Sequence, residues 1–367
     1  MTLPRVAAFT DTYLPTVNGV TYTVKTWRDR WTDRGSHMDV VYPRSDHEAR
    51  SGEYPVGSVP FPFYDGFRVG APRIPRAVAD ADVVHAHTPF SLGLAADRLA
   101  RKRDRPLVAS YHTPTSEYAE YLAVNGTVER AIRSGANRYE RWFFDRADVV
   151  VAPSERAATH LRENVGVATP VEVVANGVDT DFFRPVDTES FRERYDLPGG
   201  PLVGYTGRHG YEKCLDDVVA AAEELDVTLV FGGDGPARED LERQAREAGV
   251  DARFLGFLDR SELPALYATL DVFAFPSPVE TQGLVALEAN ACGTPVVGVD
   301  SGALADTIVD GETGYRYPEG DIPAFRERIE QALDEYDDLR DRCIERRAAT
   351  SVDRSVDRMA EIYERVQ

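Results

Sequence analysis

Lysine is nearly absent: Lys25, Lys102 and Lys213 are the only three among 42 basic residues, and arginine supplies the rest. Cysteine is as scarce. Cys214, Cys292 and Cys343 are odd in number, far apart and in no C-x-x-C pair, which excludes a disulfide framework and a cysteine zinc site. No apolar run approaches the roughly 18 residues of a membrane span. The N-terminal stretch MTLPRVAAFTDTYLP has neither the basic start nor the cleavage pattern of a signal peptide. A cytoplasmic protein is therefore expected. Positive charge is short overall, since the net charge is −20. That argues against nucleic acid as a partner, because phosphates call for a basic field.

The deficit is uneven. Residues 1–185 contain 23 basic and 23 acidic side chains, so the whole excess falls in residues 186–367. Two domains with different surroundings follow, as does the length of 367 residues. An acidic surface poor in lysine suits a halophilic, high-salt cytoplasm, where screening tolerates self-repulsion.

What is present is a repeating alternation. Short β-branched runs begin at Val6, Asp39, Asp82, Leu107, Asp148 and Val171, then at Leu202, Thr228, Ala252, Asp271 and Pro295, with helix-length stretches between them. Continuous apolar strands separated by helices indicate parallel sheets covered on both faces. The expected fold class is α/β, with two Rossmann-like doubly wound domains facing each other across a cleft. The expected domains are residues 1–184 and 185–367, with the last helix free to pack back on the first. Residues 54–76, rich in Pro, Gly and aromatics, read as an irregular loop.

Ligands of doubly wound sheets bind beyond the carboxyl ends of the strands, so the segments after strands matter most. After the first strand, Asp11 to Val20 carries Gly19 just before a helix expected to begin near Thr21. A glycine there either serves the turn or lets backbone N–H groups approach an anion. In the second half Tyr205-Thr206-Gly207-Arg208-His209-Gly210-Tyr211-Glu212-Lys213 follows a strand. Neither a dinucleotide nor a P-loop fingerprint fits it, but Arg208 and Lys213 can clamp a diphosphate. The segment from Phe275 to Val297 places Glu280 in a loop and Glu288 in an apolar helix read as running from about Gln282 to Cys292. A carboxylate among apolar residues needs a polar partner, either a ribose diol or a salt bridge. Backbone N–H groups of Gly283, Leu284 and Val285 at the helix start could meet phosphate or sugar hydroxyls.

Glu280 and Glu288, seven residues apart, resemble the E-x7-E signature of retaining glycosyltransferases of family 4. The tail EANACGTPVVG, Asp310 to Tyr315, GRHGYEKCLD, DTYLPTVNGV and Asn176-Gly177-Val178-Asp179 are similar to further stretches of that family, in order, over roughly residues 5–320. The resemblance implies a GT-B fold with the donor held mainly by the second domain and the acceptor by the first. It implies that Arg208 and Lys213 hold the donor diphosphate and Glu288 the ribose, while Glu280 binds the transferring sugar. It implies that Gly19 offers its N–H to the phosphate, and that His112 lies near the sugar. Many members have Phe where this chain has Gln282.

The expected activity is therefore transfer of a hexose from a UDP- or GDP-sugar to a hydroxyl acceptor, with retention, no cofactor and no metal. The competing readings are a GT-B epimerase and an inert sugar-nucleotide-binding subunit. Other motifs weigh less. Asp179-Thr180-Asp181 spells D-x-D but falls in the interdomain connection, and His85 with His87 has no third ligand at zinc spacing. The neutral first half holds all three tryptophans, Tyr118 to Leu122, and the basic run Arg98 to Arg105. Apolar tips beside arginines suit an anionic interface, so a lipid or lipid-linked acceptor and peripheral contact at the inner membrane face are expected.

Overall fold

Parallel strands that are covered on both sides can be apolar throughout, and those of this protein are. The computed structural model describes residues 3–61, 67–112 and 126–367, with backbone alone for residues 126–134. Its chain divides into two units, Met1–Asn176 with Val352–Gln367, and Gly177–Ser351. The division falls after Asn176 rather than after residue 184, because Val178 and Phe183 are buried in the core of the second unit.

The first unit is a seven-stranded, all-parallel sheet. Its order is Glu53–Val56, Met38–Pro43, Val6–Phe9, Val83–Ala86, Leu107–Ser110, Val149–Ala152 and Val171–Val173. Chain order reverses between Val6–Phe9 and Val83–Ala86, which makes the segments after those two strands the topological switch point. Helix Gly19–Asp33 opens under the side chain of Asn18, which accepts the Thr21 N–H at 2.9 Å, two residues earlier than expected. It buries Trp27 and Trp31, one turn apart. Helix Val352–Val366 buries Val352, Val356, Met359, Ile362 and Tyr363 in the same core cluster as those tryptophans.

Residues 54–76 are not wholly irregular. Glu53–Val56 forms the edge of the large sheet, and Ser58–Pro60 pairs antiparallel with Arg68–Gly70. Pro55 is tolerated because an edge strand leaves one side of its backbone unpaired.

The second unit is a six-stranded parallel sheet in the order Ala252–Gly256, Thr228–Gly232, Leu202–Thr206, Val272–Phe275, Val296–Val299 and Gly314–Tyr317. Its order reverses between Leu202–Thr206 and Val272–Phe275. The edge strand Gly314–Tyr317 was not expected from its residues, which contain no β-branched side chain.

Candidate active site

Two loops meet at the switch point of the second unit, residues 207–213 after one strand and 276–283 after its neighbour. They are joined by an ion pair: Lys213 Nζ lies 2.7 Å from Glu280 Oε1, with both side chains mostly buried. Burial is the largest influence on Lys213 and opposes its charge, but Glu280, Tyr205 and Glu212 together hold the ammonium above its usual pKa. Arg208 Nη2 pairs with Glu212 Oε1 at 2.5 Å, one turn along the same loop. Both cations of the expected clamp thus sit on one loop, and one is tied to the expected catalytic carboxylate.

The backbone of Glu280 is held as well. Ala303 N–H donates to the Glu280 carbonyl at 3.0 Å. The preceding Gly302 has φ +52°, and a Cβ there would stand 2.6 Å from the Pro278 carbonyl oxygen. This brace was not legible in the sequence, since Gly302 and Ala303 follow a different strand.

Cys214 ends the turn Tyr211–Lys213 with φ +49°, a left-handed conformation that costs a side chain energy. Cys214→Gly is expected to raise unfolding stability by about 0.5–1 kcal/mol, strain relief exceeding the added chain entropy. Urea unfolding checks it; an unchanged or lower midpoint refutes it.

Helix Leu284–Ala291 begins later than expected, because Gly283 is its N-cap in a left-handed conformation (φ +74°). A Cβ at Gly283 would lie 2.7 Å from Leu304 Cδ2. No side chain caps this helix and its first turn holds no acid, so its leading N–H groups face an anion-compatible end. Glu288, buried inside it, has an internal partner: Tyr267 donates its hydroxyl to Oε2 at 2.9 Å, and Arg260 Nη1 lies 3.8 Å from Oε1. Burial raises its pKa while Arg260 and Tyr267 pull it down. The salt-bridge alternative is realised loosely, and a carboxylate with one neutral donor keeps lone pairs for a further hydroxyl.

In the first unit, Gly19 is the first residue of its helix, behind the Asn18 cap. Asp11, which sequence reasoning passed over, accepts from Thr88 Oγ1 at 2.6 Å, Ser91 Oγ at 2.8 Å and Leu92 N–H at 3.2 Å. It thereby ties the first strand's loop to the next helix across the switch point. His85 is a buried histidine with a partner at each ring nitrogen, and His87, buried beside it, is joined by His112. His85 and His87 stack with centroids 4.0 Å apart, and His87 Nδ1 lies 3.1 Å from His112 Nε2. Among the described residues no group of three or more His, Cys, Asp or Glu could hold a metal ion; these rings stack rather than converge.

Burial pushes His85 down to about 3 and His112 to about 4, and burial with its two neighbours holds His87 well below the usual histidine value. The unfolded chain takes up these protons below about pH 6.5, whereas the folded state resists them. Their contribution is complete above that pH and is lost as the pH falls toward the folded values. Each histidine then costs stability at a slope approaching about 1.4 kcal/mol per pH unit. Urea unfolding at pH 7.5 and 5.5 should show the lower midpoint in acid, with a smaller difference for His112→Asn. Equal midpoints refute it.

The remaining motifs are structural or silent. Asp179 Oδ1 accepts the Asp181 and Phe182 N–H groups, each at 3.2 Å, which makes D-x-D a turn. Trp27 and Trp31 are core residues, whereas Trp142 is 46% exposed. Tyr118 to Leu122 lie outside the described residues. Among the described residues no helix is long and apolar enough to cross a membrane.

Two doubly wound parallel sheets, with charged loops and an uncapped helix at a switch point, have the architecture of the GT-B fold. Sucrose-phosphate synthase from Thermosynechococcus elongatus has the same fold, with a TM-score of 0.80, 22% identity and 99% of each chain covered. Residues 17–182 match Glycosyltransferase Family 4 and residues 187–349 match Glycosyl transferases group 1. The chain is 34% identical over 269 residues to 2-deoxystreptamine glucosyltransferase of Streptomyces kanamyceticus, covering 70% of this chain and 69% of that one. It is 31% identical over 336 residues to alpha-monoglucosyldiacylglycerol synthase of Streptococcus pneumoniae, covering 85% and 75%. The chain belongs to glycosyltransferase family 4 and is a glycosyltransferase.

Proposed function

We propose that the protein is a retaining hexosyltransferase using a nucleoside diphosphate sugar, and that its acceptor is a lipid or lipid-linked hydroxyl. The observation that carries the donor half is the Lys213–Glu280 pair at 2.7 Å, at the switch point where the uncapped helix Leu284–Ala291 begins. Lys213, Arg208 and the N–H groups of Leu284 and Val285 offset the charge of a departing diphosphate, so this reading calls for no metal. Glu280, held in place by Lys213 below and Ala303 N–H behind, accepts hydrogen bonds from the transferring sugar. It also stabilises the positive charge that grows at the anomeric carbon. Glu288 takes the ribose hydroxyls. His112 and Gly19 act on the sugar and the phosphate, as the family resemblance implies.

The acceptor half rests on the first unit's surface. Trp142, Val59, Val69 and Leu94 are exposed, and the helix bearing Leu94 ends in Arg101, Lys102 and Arg103. One relative is named for a glycolipid product and another for a soluble aminocyclitol, so the two acceptor classes are the test. UDP- and GDP-hexoses are offered with diacylglycerol in anionic vesicles or with soluble polyols, and the product's anomeric linkage is read by NMR. An α-linked glycolipid supports the proposal. An inverted linkage refutes retention, a soluble product alone refutes the lipid acceptor, and epimerised donor without a new glycosidic bond makes the protein an epimerase.

A further inference from the structure

We infer that His87 is a positioning residue that holds His112 as its Nδ1–H tautomer, so that His112 serves as a hydrogen-bond donor and not as a general base through Nε2. The functional consequence rests on the sugar-side role proposed for His112; the tautomer itself does not.

The inference starts from proton accounting. A neutral imidazole has one N–H and one bare nitrogen, and the bond made by one nitrogen decides the state of the other. His87 Nδ1 and His112 Nε2 stand 3.1 Å apart, so one must donate to the other. Both rings are buried enough to stay uncharged at neutral pH, which leaves two arrangements. If His112 donates, His87 carries its own proton on Nε2. That atom is fully buried and has no hydrogen-bond partner among the described residues, so the proton would be an orphaned donor. If His87 donates from Nδ1, its Nε2 is a bare lone pair in the same place. Orphaned buried N–H groups are rarer in folded proteins than unsatisfied acceptors. The second arrangement is favoured. His112 then accepts at Nε2 and keeps its proton on Nδ1.

The rest of the cluster prevents His87 from turning to escape this choice. His85 lies flat against it, with centroids 4.0 Å apart and the planes 27° apart. His85 is fixed at both nitrogens, Nδ1 by Tyr363 Oη at 2.5 Å and Nε2 by Ser110 Oγ at 2.8 Å. Trp27 closes the other approach with its ring edge-on at 6.0 Å, and its own Nε1–H is spent on the Asn176 carbonyl at 2.7 Å. His87 N–H is used by the Phe9 carbonyl. The histidines therefore lie in series: a ring locked by two hydroxyls, a ring clamped against it, and a ring whose tautomer the second one sets.

The test is a long-range ¹H–¹⁵N correlation spectrum of the whole protein, which contains seven histidines, with the His112 signals assigned by their loss in His112→Gln. Protonated Nδ1 and bare Nε2 on His112 are expected; the reverse pattern overturns the inference whether or not the protein transfers sugar. A kinetic arm adds the role. His87→Asn keeps a donor near the position of Nδ1, whereas His87→Phe keeps the stack and loses the bond. His87→Phe should lower kcat by roughly tenfold or more with KM little changed, as for loss of a preorganised donor, and His87→Asn should recover most of it. Equal kcat in both variants, with the Nδ1–H tautomer kept in His87→Phe, overturns the positioning role. A protein with the expected tautomer but no transferase activity overturns the proposed function alone.

Discussion

Glu280→Gln is expected to lower turnover by roughly 10²-fold or more while leaving affinity for the free nucleoside diphosphate nearly intact. The substitution keeps the shape and the backbone brace from Ala303. It removes the charge that faces Lys213 and that is proposed to face the transferring sugar. In the proposed roles nucleotide binding rests on Lys213, Arg208 and the helix start, all of which remain, so the loss should appear in kcat. Lys213 loses the partner that offsets its burial, and a bound diphosphate supplies the anion in its place. Isothermal titration with UDP and GDP, set beside steady-state kinetics, separates the two effects. Unchanged turnover removes Glu280 from the chemistry.

Lys213→Ala should be at least as damaging, and in a different way. It leaves the mostly buried Glu280 carboxylate without its cation, 2.7 Å from where the ammonium stood, and it removes the cation proposed to offset a leaving diphosphate, whose negative charge is greater in the transition state than in the bound donor. Donor affinity and kcat should both fall, with kcat/KM lower on the order of 10²- to 10³-fold. The double variant should lose far less than the product of the two single losses, because the pair is one interaction. Full multiplicativity would show that the two residues work independently and that their contact is incidental.

How much of this was legible beforehand depended on which interactions are local. The buried parallel strands announced themselves as β-branched runs, and the segments at 11–20, 207–213 and 276–283 stood out because they follow strands; that they stand at switch points came from the strand order. Gly314–Tyr317 did not, since an edge strand paired on one side needs no such run. Glu53–Val56 was hidden by Pro55 for the same reason. Helix starts were misread where a cap governs them: Gly283 looks like helix from its neighbours but takes a left-handed turn. The meeting of His87 with His112 joins residues 25 positions apart, on strands that lie side by side with Val84 opposite Leu107 and Ala86 opposite Ala109. Once that register is known, the residues just beyond both strands must be neighbours, but register is not visible in composition. The division at Asn176 was missed because Phe183, next to a proline-marked join, packs into the second core.

The helix Val352–Val366 has a consequence for synthesis. The first unit cannot close its core over Trp27 and Trp31 until residues 352–367 have left the ribosome. Gly177–Ser351 is a continuous stretch with every strand of its own sheet, and it is complete earlier. Although nascent chains ordinarily fold from the amino end, here the later-made unit can mature first. The earlier-made one waits, with those tryptophans uncovered, for a segment made only after the whole of the other unit.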